Sequence, residues 1–323
     1  MIKILCVYFK DRVKKFVCPK NKNMNIKKLE NKLAIALTQN LGVNINSGFK
    51  DDILGFREKL TLLSNTDHYN KLIKSLTSSK NKIEFNSYVF ETYFAYDFES
   101  KGRTLEYETK LLGNSDDTVD FLYRTYNGMR ICFDLHQANQ RKWLTDYTRS
   151  QLANRGRYEI TLSGQDEKDK IVRLQNLILS KCQNKNGNPR KFPQDSDIYN
   201  FIVIYVSGEI DGHIDELECK FTMYGDSNLF GVRWIFGLCE HLSDDSPENF
   251  KLYYEKLKHF RETIHGVLFV KNASPPNCYG DLILDLDLEY YLVGNNDLLN
   301  KADFNKICDE LYGILKEWTK KDT

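Results

Sequence analysis

The stretch from Thr118 to Gln137, T-V-D-F-L-Y-R-T-Y-N-G-M-R-I-C-F-D-L-H-Q, constrains this chain more than any other. Two apolar, β-branched and aromatic runs flank Tyr126-Asn127-Gly128. Asn-Gly between such runs signals a tight hairpin turn, because its backbone accepts the positive φ that the turn demands. Two paired antiparallel strands are therefore predicted. The first carries Asp120 near its start and the second Asp134 near its end, so pairing through the turn brings both carboxylates to one end of the ribbon. Side chains alternate along a strand, which places Cys132, Asp134 and His136 on one face and Phe133 and Leu135 on the other.

Two carboxylates held together at a sheet end repel each other and resist desolvation unless a cation or water reaches them. A divalent metal is one solution, and Mg²⁺ suits it: the ion accepts one or two protein carboxylates and fills its remaining positions with water and phosphate oxygens. Two solvated strand-end acids are the alternative.

The order of elements over residues 85 to 300 resembles the PD-(D/E)XK, or restriction-endonuclease-like, nuclease superfamily. In that family a helix bearing a Glu precedes a three-strand meander, the second strand opens with Pro-Asp, the third holds Asp/Glu-x-Lys, and a further helix returns to a strand. The matching residues here are Phe90-Glu91 in a helical stretch, a strand at Leu105 to Leu111, Val119-Asp120-Phe121-Leu122, and Asp134-Leu135-His136. Val119 replaces the Pro and His136 stands where the family has Lys.

The resemblance implies an α/β fold: a mixed central sheet flanked by helices, with a restriction-endonuclease-like core, in residues 83–323. A mainly helical N-terminal region, 1–82, precedes it. The resemblance further implies a divalent-metal-dependent nuclease-like protein. Asp120, Asp134 and the backbone carbonyl of Leu135 hold Mg²⁺ or Mn²⁺, Glu91 holds a metal-bound water or a second contact, and His136 completes the catalytic set. A neutral imidazole does not supply the permanent cation of the family's lysine, so Gln137, Lys142 or Lys181 is expected to compensate. The implied partner is nucleic acid, DNA ahead of RNA, with a protein partner or a second copy of the chain also compatible. The alternative is a nuclease fold that has lost catalysis and binds nucleic acid or protein. A third reading, an interaction protein acting through its N-terminal helices, stays open.

Charge and composition narrow these options. The 46 basic and 45 acidic side chains nearly cancel, which excludes a uniformly basic coat and leaves a local basic groove. Eight cysteines (6, 18, 132, 182, 219, 239, 278 and 308) show no Cys-x-x-Cys pair and no zinc spacing, so reduced thiols in a cytoplasmic protein are expected. The apolar run Ile2 to Phe9 is short and interrupted by Lys3, and no membrane segment is expected.

Along the N-terminal region, a strand is predicted at Ile4 to Phe9. Helices are predicted with Ile26, Leu29, Leu33, Ile35 and Leu37 on a buried stripe, from Asp51 through Leu63, and from Tyr69 to Leu76. The Lys-rich run 10 to 28 reads as solvated surface, and no catalytic spacing occurs in this region. The aromatic segment Ile83 to Ser100 predicts a helix buried between the sheet and the N-terminal region. Glu91 in its middle needs a partner, either the metal-site network or a structural ion pair.

Beyond Asp134, Arg141 and Lys142, with Arg149, Arg155, Arg157, Trp143 and Tyr147, interleave basic and aromatic side chains, as a nucleic-acid contact does. A polar loop is the alternative. Lys168 to Gln183 predicts an amphipathic helix with Ile171, Leu174, Ile178 and Cys182 inward. Lys181 and Gln183 resemble the Lys-x-x-Gln that some nuclease-like families carry on this helix, with one residue fewer between them. Lys181 counts as a nucleic-acid contact on that resemblance, while the residues alone favour a solvent-facing helix-end lysine. Phe201 to Val206 predicts a central strand and His265 to Val270 another. Asp281 to Leu292 predicts an edge strand with an acidic face, Phe250 to Arg261 a helix, Phe230 to Leu242 an aromatic segment, and Phe304 to Thr319 a closing helix.

Overall fold

The computed structural model describes residues 26–41, 50–110, 118–138, 150, 164–182, 192–193, 197–206, 214–225, 248–273 and 286–318. The strand read at Ile4 to Phe9, the Lys-rich run 10 to 25, the basic segment holding Arg141 and Lys142, Gln183, the aromatic segment 230 to 242 and the acidic alternation 281 to 285 lie outside them.

The predicted hairpin forms. Strands β2 (Thr118–Arg124) and β3 (Arg130–Gln137) are antiparallel, with Phe121 opposite Phe133 and Tyr123 opposite Ile131. Gly128, at φ +85°, makes the turn, and Thr125 closes it by exchanging hydrogen bonds with Met129. Before them β1 (Leu105–Lys110) pairs antiparallel with β2. After them β4 (Ile198–Tyr205) and β5 (Gly266–Asn272) run parallel to β3, and β6 (Leu288–Gly294) turns back antiparallel. The result is one mixed six-stranded sheet in the order β1 to β6. This is an α/β fold.

Each face of the sheet is covered, so its central strands are apolar throughout. One face carries α1 (Ile26–Leu41), α2 (Lys50–Ser64), α3 (Asn70–Ser78), α4 (Lys82–Glu99) and the last helix, α8 (Lys301–Tyr312). Leu33, Leu60, Leu72, Phe94, Phe133, Phe201 and Leu311 belong to a single buried cluster on this side. The N-terminal helices therefore share their core with the sheet. The other face carries α5 (Gly164–Ser180), α6 (Glu216–Tyr224) and α7 (Glu248–Thr263), packed through Leu174, Ile178, Met223 and Phe260 onto Ile202, Ile204 and Val267. Three buried thiols, Cys132, Cys182 and Cys219, lie in this second core. Burial pushes Cys132 up to about 12 and Cys219 well above the usual thiol range.

Local chemistry sets the helix ends. Asn81 caps α4, its side chain accepting from the Ile83 amide. Gly102, at φ +68°, then takes the left-handed position after that helix. In α1 the buried stripe is Leu29, Leu33, Ala36 and Leu37, while Ile35 is 56 % exposed, because it falls two residues from Leu33 and off the stripe.

Two C-terminal expectations change. The last helix starts at its Asn300 cap and stops at Tyr312, ahead of Gly313, instead of running to Thr319. The chain then lies along β6: the Tyr290 amide donates to the Lys316 carbonyl at 2.9 Å and the Trp318 amide to the Tyr290 carbonyl at 3.0 Å. This strap covers the middle of the outermost strand. The acids of that strand are paired, with Glu289 buried between Lys271 at 3.6 Å and Lys316 at 3.4 Å.

His265, just before β5, accepts from the Asn200 amide through Nδ1 at 3.1 Å. Burial lowers its pKa to about 4. The unfolded chain then binds more protons between the ordinary value near 6.5 and that lowered value, so the stability His265 contributes is present above pH 6.5 and is lost as pH falls toward 4. Wild type should lose about 3 kcal/mol more than His265→Asn between pH 7 and pH 4, read by urea unfolding; parallel pH profiles would refute this.

Candidate functional site

The hairpin register fixes the first part of the site. The last paired residues of β2 and β3 are Phe121 and Phe133, so Asp120 and Asp134 stand one step beyond them, where the strands part. One oxygen of Asp120 reaches across and accepts the Leu135 amide at 2.6 Å. The carboxylate occupies the place of a strand carbonyl and is oriented by that bond.

Glu91 comes from the opposite direction. It sits halfway along α4, on the helix face turned to the sheet, and is 9 % exposed. Tyr107 of β1 donates its hydroxyl to Glu91 Oε2 at 2.9 Å. The partner the sequence demanded is thus a phenol, in addition to the site network. Burial raises the Glu91 pKa well above the usual carboxylate range, the Asp120 charge raises it further, and the Tyr107 bond and the Lys181 charge oppose the shift.

Lys181 overturns the solvent-facing reading. It follows the C-terminal end of α5, keeps 19 % of its side chain exposed, and places Nζ 3.0 Å from Oδ2 of Asp134, whose side chain is fully buried. Burial alone would lower the lysine's pKa; the charges of Asp134, Asp120 and Glu91 outweigh it and raise it. A signal for this was present in the sequence. Ile171, Leu174 and Ile178 form the inward stripe of α5, and Lys181 continues their spacing of three, four and three, which points it at the sheet.

These groups surround a cavity of about 160 Å³ lined by Ser87, Phe90, Glu91, Asp120, Leu135, His136, Gln137 and Lys181. Of the four residues the sequence places at one pocket, Glu91, Asp120 and His136 open onto it. Asp134 does not line it and lies behind the Lys181 ammonium. Arg141 and Lys142 fall outside the described residues.

A hard, strongly hydrated cation fits this donor set better than a soft one. The pocket is lined by the carboxylate-bearing Glu91 and Asp120, whose mutual repulsion a cation would relieve. Among the described residues no three His, Cys, Asp or Glu side chains are grouped to cage a metal by themselves. An ion held by so few protein oxygens would keep much of its water.

No protein-family model matches this chain, no curated protein matches it in sequence, and no solved structure matches its fold. Among the described residues no helix is long and apolar enough to cross a membrane.

Two stability measurements check the electrostatics. Lys181→Met leaves Asp134 buried and uncompensated and should cost about 3 kcal/mol, with most of the loss recovered in the Lys181→Met, Asp134→Asn double variant. No recovery would mean the pair is not coupled. Glu91 has the opposite sign from His265: its folded pKa is raised, so the folded state holds the proton longer and the group costs stability as pH rises above the ordinary carboxylate value. Glu91→Gln should therefore raise Tm at pH 8 and do so less at pH 5; a uniform change at both would exclude this account.

Proposed function

We propose that this protein is a divalent-metal-dependent phosphodiester hydrolase of the restriction-endonuclease-like kind, acting on nucleic acid. The observation that carries the reading is the Lys181 ammonium 3.0 Å from Asp134. It brings a permanent cation, from the helix after β3, to the place where His136 leaves the strand motif without one. Together with the Asp120 and Asp134 strand ends, the Glu91 helix and the mixed sheet order, the chain has each charge the resemblance calls for, with the lysine supplied by a different element.

Asp120 and the Leu135 carbonyl, with Glu91 beside them, are the residues that would hold Mg²⁺ or Mn²⁺, while Asp134, buried behind the Lys181 ammonium, would orient that lysine. Such an ion polarises a scissile phosphate and lowers the pKa of an attacking water. The remaining work belongs to the chain. Lys181 offsets negative charge that develops on phosphate oxygens, and its place inside the protein, largely out of water, strengthens that effect. The Leu135 amide keeps Asp120 in one orientation at no cost during reaction. Glu91, its pKa raised chiefly by burial and its carboxylate held by Tyr107, is suited to take or give a proton. His136 and Gln137 add neutral polar groups to the wall.

The experiment is a cleavage assay on supercoiled plasmid and on single-stranded RNA with Mn²⁺, Mg²⁺ or EDTA. Metal-dependent cleavage is expected, reduced at least a hundredfold in Asp120→Asn and in Lys181→Ala, each with its fold checked by thermal melting. Full activity in Asp120→Asn would refute the assignment. Binding without cleavage by wild type would replace it with a non-catalytic nuclease fold that holds nucleic acid.

A further inference from the structure

Among the described residues Glu108 is the one non-glycine at positive φ, +47°. L residues other than Gly, Asn and Asp seldom adopt this conformation, and it persists only where the surroundings impose it. Its position is specific. β1 and β2 pair at Tyr107 with Phe121 and again at Thr109 with Val119, and the pairing omits the residues between them, Glu108 and Asp120. The kink therefore faces Asp120 across the sheet. On its other side Asp120 is already past the end of the β2–β3 pairing.

The N-terminal helical layer holds this kink. Lys71, in the first turn of α3, forms an ion pair with the Glu108 carboxylate. Tyr69, in the short 3-10 turn just before α3, accepts the Leu105 amide through its hydroxyl at 3.1 Å. β1 is an edge strand, so these two ties do for its shape what a neighbouring strand does elsewhere. Tyr107, between the two tied residues, is the donor to Glu91.

We infer that Glu108 is a positioning residue for the metal centre: its left-handed backbone, clamped by Lys71 of α3, interrupts the β1–β2 pairing at Asp120 and keeps that residue turned toward Leu135 and the pocket. This rests on the hydrolase reading above and adds to it a role for the N-terminal helices. They act on the site through the backbone of β1 and contribute no ligand.

The test is Mn²⁺ affinity of the full chain, by isothermal titration, alongside thermal melting without metal. Glu108→Gly adopts the same backbone freely and should bind Mn²⁺ within threefold of wild type. Glu108→Val favours the regular strand and should bind at least tenfold more weakly while its Tm stays level or rises, a combination that a merely structural residue would not give. Lys71→Gln, at an exposed position, should also weaken Mn²⁺ binding severalfold. A nearby cation acting through charge alone predicts the reverse, since its removal favours another cation. If Glu108→Val does not fold, the Lys71→Gln sign decides. Unchanged affinity in Glu108→Val, or tighter binding in Lys71→Gln, overturns the inference and leaves the hydrolase reading intact. Equal losses in the Gly and Val variants overturn it in favour of the carboxylate itself. Absence of Mn²⁺ binding in wild type overturns both.

Discussion

A carboxylate with no exposed surface needs a counter-charge, and much of this molecule's arrangement follows from giving Asp134 one. The ammonium of Lys181 can reach it only if α5 ends over the rim of the sheet, which in turn requires β3 and β4 to be parallel neighbours joined by that helix. An ion pair of this depth stabilises little in net terms, because desolvation offsets attraction. What it supplies is specificity: one register of α5 against the sheet leaves no charge stranded.

The two helical layers divide the labour. From one side α4 presents Glu91 and anchors it on Tyr107; from the other α5 delivers the lysine. The sheet rim between them carries Asp120 and His136, so the pocket opens where β2 and β3 part, while β3 stays paired with β4. Irregularity is concentrated there. Elsewhere the sheet is regular, and its outer strand is sealed by the segment Lys316 to Trp318.

Much of this was legible in the residues. Asn127-Gly128 fixed the hairpin, and strand alternation then placed both aspartates at one end. The unbroken apolar run Phe201 to Val206 announced a strand covered on both faces, and the aromatic density of 83 to 100 announced a helix between two layers. Lys181 was misread because helix-end lysines are usually solvated, although the stripe it extends pointed inward. The early end of α8 was hidden by apolar residues, Ile314 and Leu315, that continue the pattern while the chain turns into the core. Glu108 was not legible at all. Nothing in Leu-Glu-Tyr-Glu-Thr distinguishes the second glutamate from the first, since its conformation is set by α3, a partner more than thirty residues away in sequence.

The three thiols buried in the second core give that layer a built-in chemical clock. Thiolate is the form that alkylating and oxidising reagents attack, and it is nearly absent where burial pushes the ionisation as high as about 12 at Cys132. Cys132 belongs to β3, Cys182 follows α5 directly after Lys181, and Cys219 belongs to α6. Their modification by a small maleimide would therefore time the lifting of these helices from the sheet, reporting on the breathing of the wall that holds the lysine without any label having to be engineered in.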